Sequence, residues 1–377
     1  MLAIRADEAN KCICDFIGKR NQYTPEHRAE RKTHGRDAER NDVTDERRHT
    51  VGDSAHNENH DGIQPERKDD STAMVEILNQ YIDENCALYN ADACEAIRMF
   101  KDDSMDLSVF SPPFSSLYTY SNSDRDLGNS RTDEEFFQHF SFIIQELFRI
   151  MKPGRIVGIH CMNLPTSKER DGFIGIKDFR GDLIRAFQSA GFIYHAEVCI
   201  WKNPVTAMQR TKALGLLHKQ LKKDSCMSRM GIPDYVVFMR KPGENPDRVT
   251  HTNETFPVSE WQEYASPIYE ELNSPVWWDI NQSDTLNARA PEDEESERHI
   301  CPLQLPVIER VIRLYSNEGD VVFTPFLGIG SEVYQAIKMK RRGIGIELKP
   351  AYFETAVMNI KAAEQKLNQI SLFESEN

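Results

Sequence analysis

The stretch Val321-Val322-Phe323-Thr324-Pro325-Phe326-Leu327-Gly328-Ile329-Gly330-Ser331 decides how the rest of the chain is read. Its apolar opening predicts a buried strand, its two glycines a turn, and the residues from Ser331 onward a helix. A second apolar run over residues 343–346 predicts another strand and ends in Glu347. Together these make one βαβ unit. Glycines in such a turn let a ligand approach the backbone closely, and the helix N-terminus offers N–H groups to a carboxylate or phosphate. An acid at the tip of the second strand, 19 residues after Gly328, is placed to accept hydrogen bonds from ribose hydroxyls. A simple dehydrogenase would show a fuller three-glycine fingerprint nearer its N-terminus.

Upstream, the apolar run Met105 to Phe110 predicts another strand and leads into Ser111-Pro112-Pro113-Phe114. Adjacent prolines fix φ and carry no N–H, so their carbonyls are left to accept bonds from something other than a ladder partner. Chain leaving the sheet therefore presents a hydroxyl, a carbonyl and an aromatic face together. That set suits a planar ring with an exocyclic amine, stacked on Phe114 with its amine hydrogens on Ser111 and the Pro112 carbonyl. A turn followed by a core aromatic has the same four residues, and the tetrapeptide alone does not separate the two readings.

Around these stretches helices and strands alternate. Residues 74–83 carry helical periodicity, 87–89 are a short apolar run, and Asp92 can cap a helix through Phe100. An amphipathic helix is predicted over 134–151, stopped by Lys152-Pro153-Gly154, with a buried strand over 155–160. A helix over 183–190 ends at Gly191, strands follow over 192–201 and 234–239, and a helix over 303–315. This rhythm predicts an α/β fold with a doubly wound, mostly parallel, Rossmann-like sheet. Residues 115–131 form a loop long enough to close over a site.

The length of 377 residues allows a sizeable core, and 39% hydrophobic with 28% charged residues suits a soluble protein. No run approaches the roughly 18 apolar residues of a membrane helix, so no membrane partner is expected. The first ten residues do not have the form of a secretory signal, and a cytoplasmic location is expected. Among the 8 cysteines only Cys12 and Cys14 are close, too close for a zinc knuckle, so reduced thiols and no metal are expected. Residues 1–72 are polar and charge-mixed, and their histidines His27, His34, His49, His56 and His60 have no ligand spacing. This segment is predicted to be disordered, with the folded part beginning near Met74.

The net charge of −14 does not itself suggest a nucleic-acid partner. Its distribution matters more. Residues 202–230 carry Lys202, Arg210, Lys212, Lys219, Lys222, Lys223 and Arg229 against the single acid Asp224. Taken alone, such a run is equally a solvated helix face.

In chain order these features resemble the amino-group DNA methyltransferases that use S-adenosylmethionine, in the permuted arrangement with the catalytic half first. The resemblance runs from about Met74 to Lys366. It rests on the strand into Ser-Pro-Pro-Phe, the helix into Lys-Pro-Gly and the strand end Trp201-Lys202. To these it adds the helix led in by Pro302 to Pro306, the Pro325-Phe326-x-Gly328-x-Gly330 loop, and Gly345-Ile346-Glu347 followed by Tyr352. The chain departs from the family at Thr324, where Asp is common, and at Leu327 to Ser331, where Ala-Gly-Ser-Gly-Thr is usual.

The resemblance implies four parts: residues 1–72, a catalytic half over 73–201, a target-recognition region over 202–298 with one returning core strand at 234–240, and a cofactor half over 299–377. It implies that Ser111, Pro112, Pro113 and Phe114 hold a flipped base in double-stranded DNA. Asp92, Thr324, Pro325, Phe326, Gly328, Gly330, Ser331 and Glu347 would surround S-adenosylmethionine, Asp92 being equally explained as a helix cap. The basic residues of 202–230 would contact phosphates. Ser at the head of the tetrapeptide goes with cytosine N4 in this family, and Asp or Asn with adenine N6. Cytosine C5 chemistry needs a cysteine after proline, and the sequence has no Pro-Cys dipeptide. An adenine-N6 enzyme, an RNA or protein-amide methyltransferase and a non-catalytic DNA-binding relic stand as alternatives, and a restriction endonuclease partner is left open.

Overall fold

The computed structural model describes residues 2–5, 74–114, 127–130, 132–166, 168–173, 175–204, 231–245, 247–254, 257–258, 276–286 and 302–375. In chain order the first elements are β1 (Leu2–Arg5), β2 (Met74–Ile82), β3 (Cys86–Ala91), α1 (Ala93–Ala96), β4 (Met105–Phe110), α2 (Asp133–Ile150) and β5 (Met151–Met162). Next come β6 (Leu164–Pro165), α3 (Lys168–Asp171), β7 (Ile176–Lys177), α4 (Phe179–Ser189), β8 (Ile193–Ile200), β9 (Asp234–Arg240) and β10 (Val276–Trp277). The last are α5 (Leu305–Tyr315), β11 (Val321–Thr324), α6 (Ser331–Lys338), β12 (Arg342–Glu347) and α7 (Pro350–Ser375).

Ten strands form one sheet in the order β1-β2-β3-β12-β11-β4-β5-β9-β8-β10, and β6 pairs with β7 apart from it. The central run from β3 to β5 is parallel throughout, as is the pair β8 and β10. The pairings β1 with β2, β2 with β3, β5 with β9 and β9 with β8 are antiparallel. The predicted α/β class and doubly wound centre are present, and antiparallel pairs extend it on both sides.

Side-chain alternation along the strands divides the core into two faces. Phe110, Val157, Ile159, Val237, Phe323 and Ile344 pack against α1, α2 and α4, while Leu107, Val109, Val236, Phe238 and Val322 pack against α5. On that second side, Cys86 and Leu88 pack with α6 and α7. Helix α2 starts at Thr132, whose side chain accepts from Glu135 N, and acids fill its first turn as the helix dipole favours. Its buried residues Phe136, Phe140, Ile143, Leu147 and Ile150 make the stripe that covers the sheet.

Three expectations are corrected. Within residues 74–83, Met74–Ile82 is a strand, not a helix: the β2–β3 register shifts between Ile77 and Asn79, so Val75 and Ile77 face one layer and Tyr81 the other. The bulge breaks the period of two and leaves apolar residues at spacings that imitate a helical turn. The segment 1–72 was expected outside the fold, yet Leu2–Arg5 pairs antiparallel with β2 as the outermost strand. The helix also ends one step earlier than expected, since Met151 is already extended and Lys152, Pro153 and Gly154 belong to β5. No described helix is long and apolar enough to cross a membrane.

Candidate active site

The chain turns opposite ways after two adjacent strands. From β11 it passes through α6 to β12 on one side, and from β4 through α2 to β5 on the other, with α6 and α2 on opposite faces. The crevice outside the carboxyl ends of strands at such a reversal is where open α/β sheets bind ligands. Both decisive stretches of sequence end there. Parallel pairing of Val322 with Leu107 and of Phe323 with Ser108 brings the tetrapeptide after β4 beside the glycine turn after β11. The Phe110 and Phe326 rings lie 5.7 Å apart in an edge-on contact, and Ser108 Oγ donates to the Phe323 carbonyl over 3.0 Å.

In the glycine turn, Gly328 and Gly330 both have left-handed φ, +54° and +93°. A Cβ on Gly330 would lie 3.2 Å from Ala356 Cβ, whereas one on Gly328 would meet no atom of the described residues within 4 Å. Gly330 is thus required by packing and Gly328 leaves open room beside the backbone. Gly328 N donates to Glu347 Oε2 over 2.7 Å and Lys349 N to Glu347 Oε1 over 2.8 Å. Phe326 N donates to Thr324 Oγ1 over 3.3 Å, which tightens the turn's start. Ser331 Oγ, buried at the start of α6, has no hydrogen-bond partner among the described residues.

Behind this turn Glu332 is also buried, and burial pushes its carboxyl up to about 8, the Glu347 charge adding to the rise and a backbone hydrogen bond opposing it. Buried Asn90, paired in register with Glu347, donates from Nδ2 to the Glu347 and Leu348 carbonyls over 2.7 and 3.0 Å. Asp92 lies two residues further along the same edge. Its carboxylate accepts from Cys94 N over 2.8 Å and so caps α1.

On the other side of the reversal, Ser111 Oγ lies 3.2 Å from His160 Nδ1, and Phe114 contacts the His160 and Phe179 rings at 6.4 and 6.2 Å. Pro112 is buried, and Ser111, Pro113 and Phe114 are half-buried. His160 Nε2 is 3.2 Å from Asp234 Oδ2, and Lys202 ion-pairs with Asp234 Oδ1. Burial works to raise the Asp234 pKa, but the Lys202 ammonium and nearby His160 outweigh it and hold the carboxyl below its ordinary value. Lys202, expected against a phosphate, is directed to this carboxylate. Arg210, Lys212, Lys219, Lys222, Lys223 and Arg229 lie outside the described residues, as does most of the predicted loop 115–131.

Thr324, Pro325, Phe326, Gly328, Gly330, Ser331 and Glu347 come together at one end of the crevice, with Ser111 to Phe114 next to them. The sequence reading missed His160, Asp234, Asn90 and Glu332. The first two close or open predicted strands as polar residues in apolar runs, and that signal could have found them. Asn90 and Glu332 carry no comparable local signal.

A family model described as DNA methylase matches residues 105–358. The Type II methyltransferase M.MjaI of Methanocaldococcus jannaschii is 24% identical over 205 residues, which is 54% of this chain and 60% of that protein. The chain therefore spans less than two thirds of that relative. Among solved structures, PvuII DNA methyltransferase (cytosine-N4-specific) matches with TM-score 0.53 and 14% identity, over 78% of this chain and 96% of that one. A Thermus thermophilus protein described as a DNA modification methylase, complexed with S-adenosyl-L-methionine, matches with TM-score 0.51 and 23% identity, over 72% and 91%. These two likenesses concern the fold. Because the family model covers well over half of the sequence, through both the Ser-Pro-Pro-Phe and the glycine-turn stretches, the chain belongs to the N6/N4 DNA methylase family.

Proposed function

We propose that this protein transfers a methyl group from S-adenosylmethionine to the exocyclic N4 amine of a cytosine flipped out of double-stranded DNA. The observation that carries the proposal is the juxtaposition of Ser111 with the Gly328 turn across the reversal between β4 and β11.

The residues present fit S-adenosylmethionine. Gly328 leaves room for a ligand against the backbone, and Ser331 Oγ is a buried hydroxyl without a described partner. The Glu347 carboxylate, which takes two N–H groups at the strand tip, is of a kind that can accept about four hydrogen bonds. Thr324, Pro325, Phe326, Gly328, Gly330 and Ser331 would line the cofactor, Glu347 would accept from its ribose, and Asp92 would lie along the same edge. When bound, it supplies an electrophilic methyl group. Ser111 Oγ and the Pro112 carbonyl would accept the hydrogens of the target amine, which draws the nitrogen lone pair out of conjugation with the ring and leaves it free to take the methyl; the bond from methyl to sulfur would break as the bond to nitrogen forms, and the surplus amine proton would pass to water. Phe114 offers its face to the base, and stacking with edge hydrogen bonds offsets the few kcal/mol of extrusion. Proline at 112 and 113 keeps the carbonyl of the first out of any ladder.

The choice of cytosine follows from Ser111, the residue that the family resemblance associates with N4 transfer. DNA would be gripped through Arg210, Lys212, Lys219, Lys222, Lys223 and Arg229 by phosphate contacts.

Mass spectrometry of nucleosides from duplex DNA incubated with the protein and methyl-labelled S-adenosylmethionine tests the proposal. A labelled N4-methylcytosine peak is expected. Labelled N6-methyladenine would overturn the choice of base, and no labelled nucleoside on varied DNA would overturn DNA as substrate.

A further inference from the structure

Four side chains cross the carboxyl edge of the sheet in the order of its strands: Ser111 after β4, His160 in β5, Asp234 opening β9 and Lys202 after β8. The antiparallel course of β9 sets its first residue opposite Met162 of β5 and Ile200 of β8, so both neighbouring strand ends reach Asp234. Ser111 Oγ to His160 Nδ1 is 3.2 Å, His160 Nε2 to Asp234 Oδ2 is 3.2 Å, and Lys202 closes the row on Asp234 Oδ1. His160 and Asp234 are only 7% and 2% exposed. Burying an ion pair beside an imidazole is costly, and apolar packing at the same positions would serve stability as well or better. A structural role alone therefore does not explain the row.

We infer that His160 is a positioning residue for methyl transfer: its Nδ1 accepts a hydrogen bond from the Ser111 hydroxyl, which stays protonated, and so turns the Ser111 lone pairs toward the target amine. The inference rests on the function proposed above. A hydroxyl has one proton and two lone pairs, and without a fixed acceptor it rotates. Turned the wrong way, it would present its proton to an amine that needs acceptors. The Asp234 carboxylate, 3.2 Å from Nε2, favours by its charge the tautomer with the imidazole proton on Nε2, which leaves the Nδ1 lone pair for Ser111. Lys202 keeps Asp234 ionised. The charged groups around His160 are Asp234 and Lys202, with Arg180, Glu197 and Asp178 acting on the neighbouring Cys161. Protonation of His160 would put a proton on Nδ1, which would then donate to Ser111 Oγ and turn the serine proton toward the amine. Transfer should therefore slow on the acid side.

Single-turnover transfer of labelled methyl to duplex DNA, measured across pH for wild type, Ser111→Ala, His160→Ala, His160→Gln and the Ser111→Ala/His160→Ala double variant, tests this. His160→Ala should slow transfer roughly tenfold to a hundredfold with S-adenosylmethionine affinity unchanged. The double variant should be no slower than Ser111→Ala, because His160 acts only through that hydroxyl. His160→Gln, which keeps a polar side chain of similar reach, should lose the acid limb of the wild-type profile, and it carries the test if the alanine variant does not fold. Effects that multiply in the double variant, or an acid limb retained in His160→Gln, would overturn the inference. Wild-type rates in His160→Ala beside a crippled Ser111→Ala would sink it alone, whereas a wild type that methylates no nucleoside would sink it together with the proposed function.

Discussion

Gly328 donates its backbone N–H to the Glu347 carboxylate over 2.7 Å, which ties the turn after β11 to the tip of β12. The same carboxylate accepts from Lys349 N on its other oxygen. One side chain thus holds both backbone walls of the proposed cofactor site. Glu347→Ala should raise the Kd for S-adenosylmethionine by tenfold or more, about 1.4 kcal/mol. It should also lower stability by about 1–3 kcal/mol through the two donors left without an acceptor. Isothermal titration calorimetry checks the first, and an unchanged Kd would remove Glu347 from the site.

The two glycines of the turn should respond differently to alanine. Gly330→Ala forces a Cβ to 3.2 Å from Ala356 at φ +93°, and should lower stability by about 1–3 kcal/mol. Gly328→Ala meets no neighbour among the described residues and carries only the left-handed backbone cost of about 1–2 kcal/mol. Its Cβ would point into the room left for the cofactor, so cofactor affinity should fall more than stability. Thermal melts with and without S-adenosylmethionine separate the two, and equal ligand-induced stabilisation in Gly328→Ala and wild type would refute the contrast.

Glu332 should make the protein less stable as pH rises. Its carboxyl is raised in the folded state to about 8, so its stabilising share is full below the ordinary carboxylate pKa and is lost as pH climbs to about 8. Raising a carboxyl by one pKa unit corresponds to about 1.4 kcal/mol. Glu332→Gln should flatten stability between pH 5 and 8, roughly the window set by those two values. Urea unfolding at several pH values checks this, and parallel curves for the two proteins would contradict it.

Arg155 holds the opposite end of the sheet. It is buried between Asp320, at 2.9 Å, and Asp106, at 3.2 Å, and Lys152 reaches Asp106 at 2.7 Å. Asp106 also accepts from Val321 N, so β4, β5 and β11 meet at this cluster. Arg155→Ala leaves buried carboxylates short of a cation and should cost about 3–5 kcal/mol in denaturant unfolding. A loss below about 1 kcal/mol would mean that water or Lys152 replaces it.

Most of the strands and helices of this fold were legible because their signals are local. The apolar run of β4, the glycines after β11, the acidic first turn of α2 and the proline lead-in of α5 all act within one turn or one strand. The helical reading of residues 74–83 failed for a tertiary reason, since a bulge opposite β3 changes which layer each side chain faces.

By itself the sequence determined the α/β class, the two chemical stretches and their order along the chain, because strand, turn and cap preferences depend on neighbours in sequence. Only the tertiary structure decided that β4 and β11 lie side by side, that the chain departs from them in opposite directions, and that Ser111, His160, Asp234 and Lys202 line up. Those relationships join residues as far as 215 positions apart, Ser108 and Phe323 among them, through sheet order. Sheet order is set by burying both faces of the sheet under helices and has no local signature.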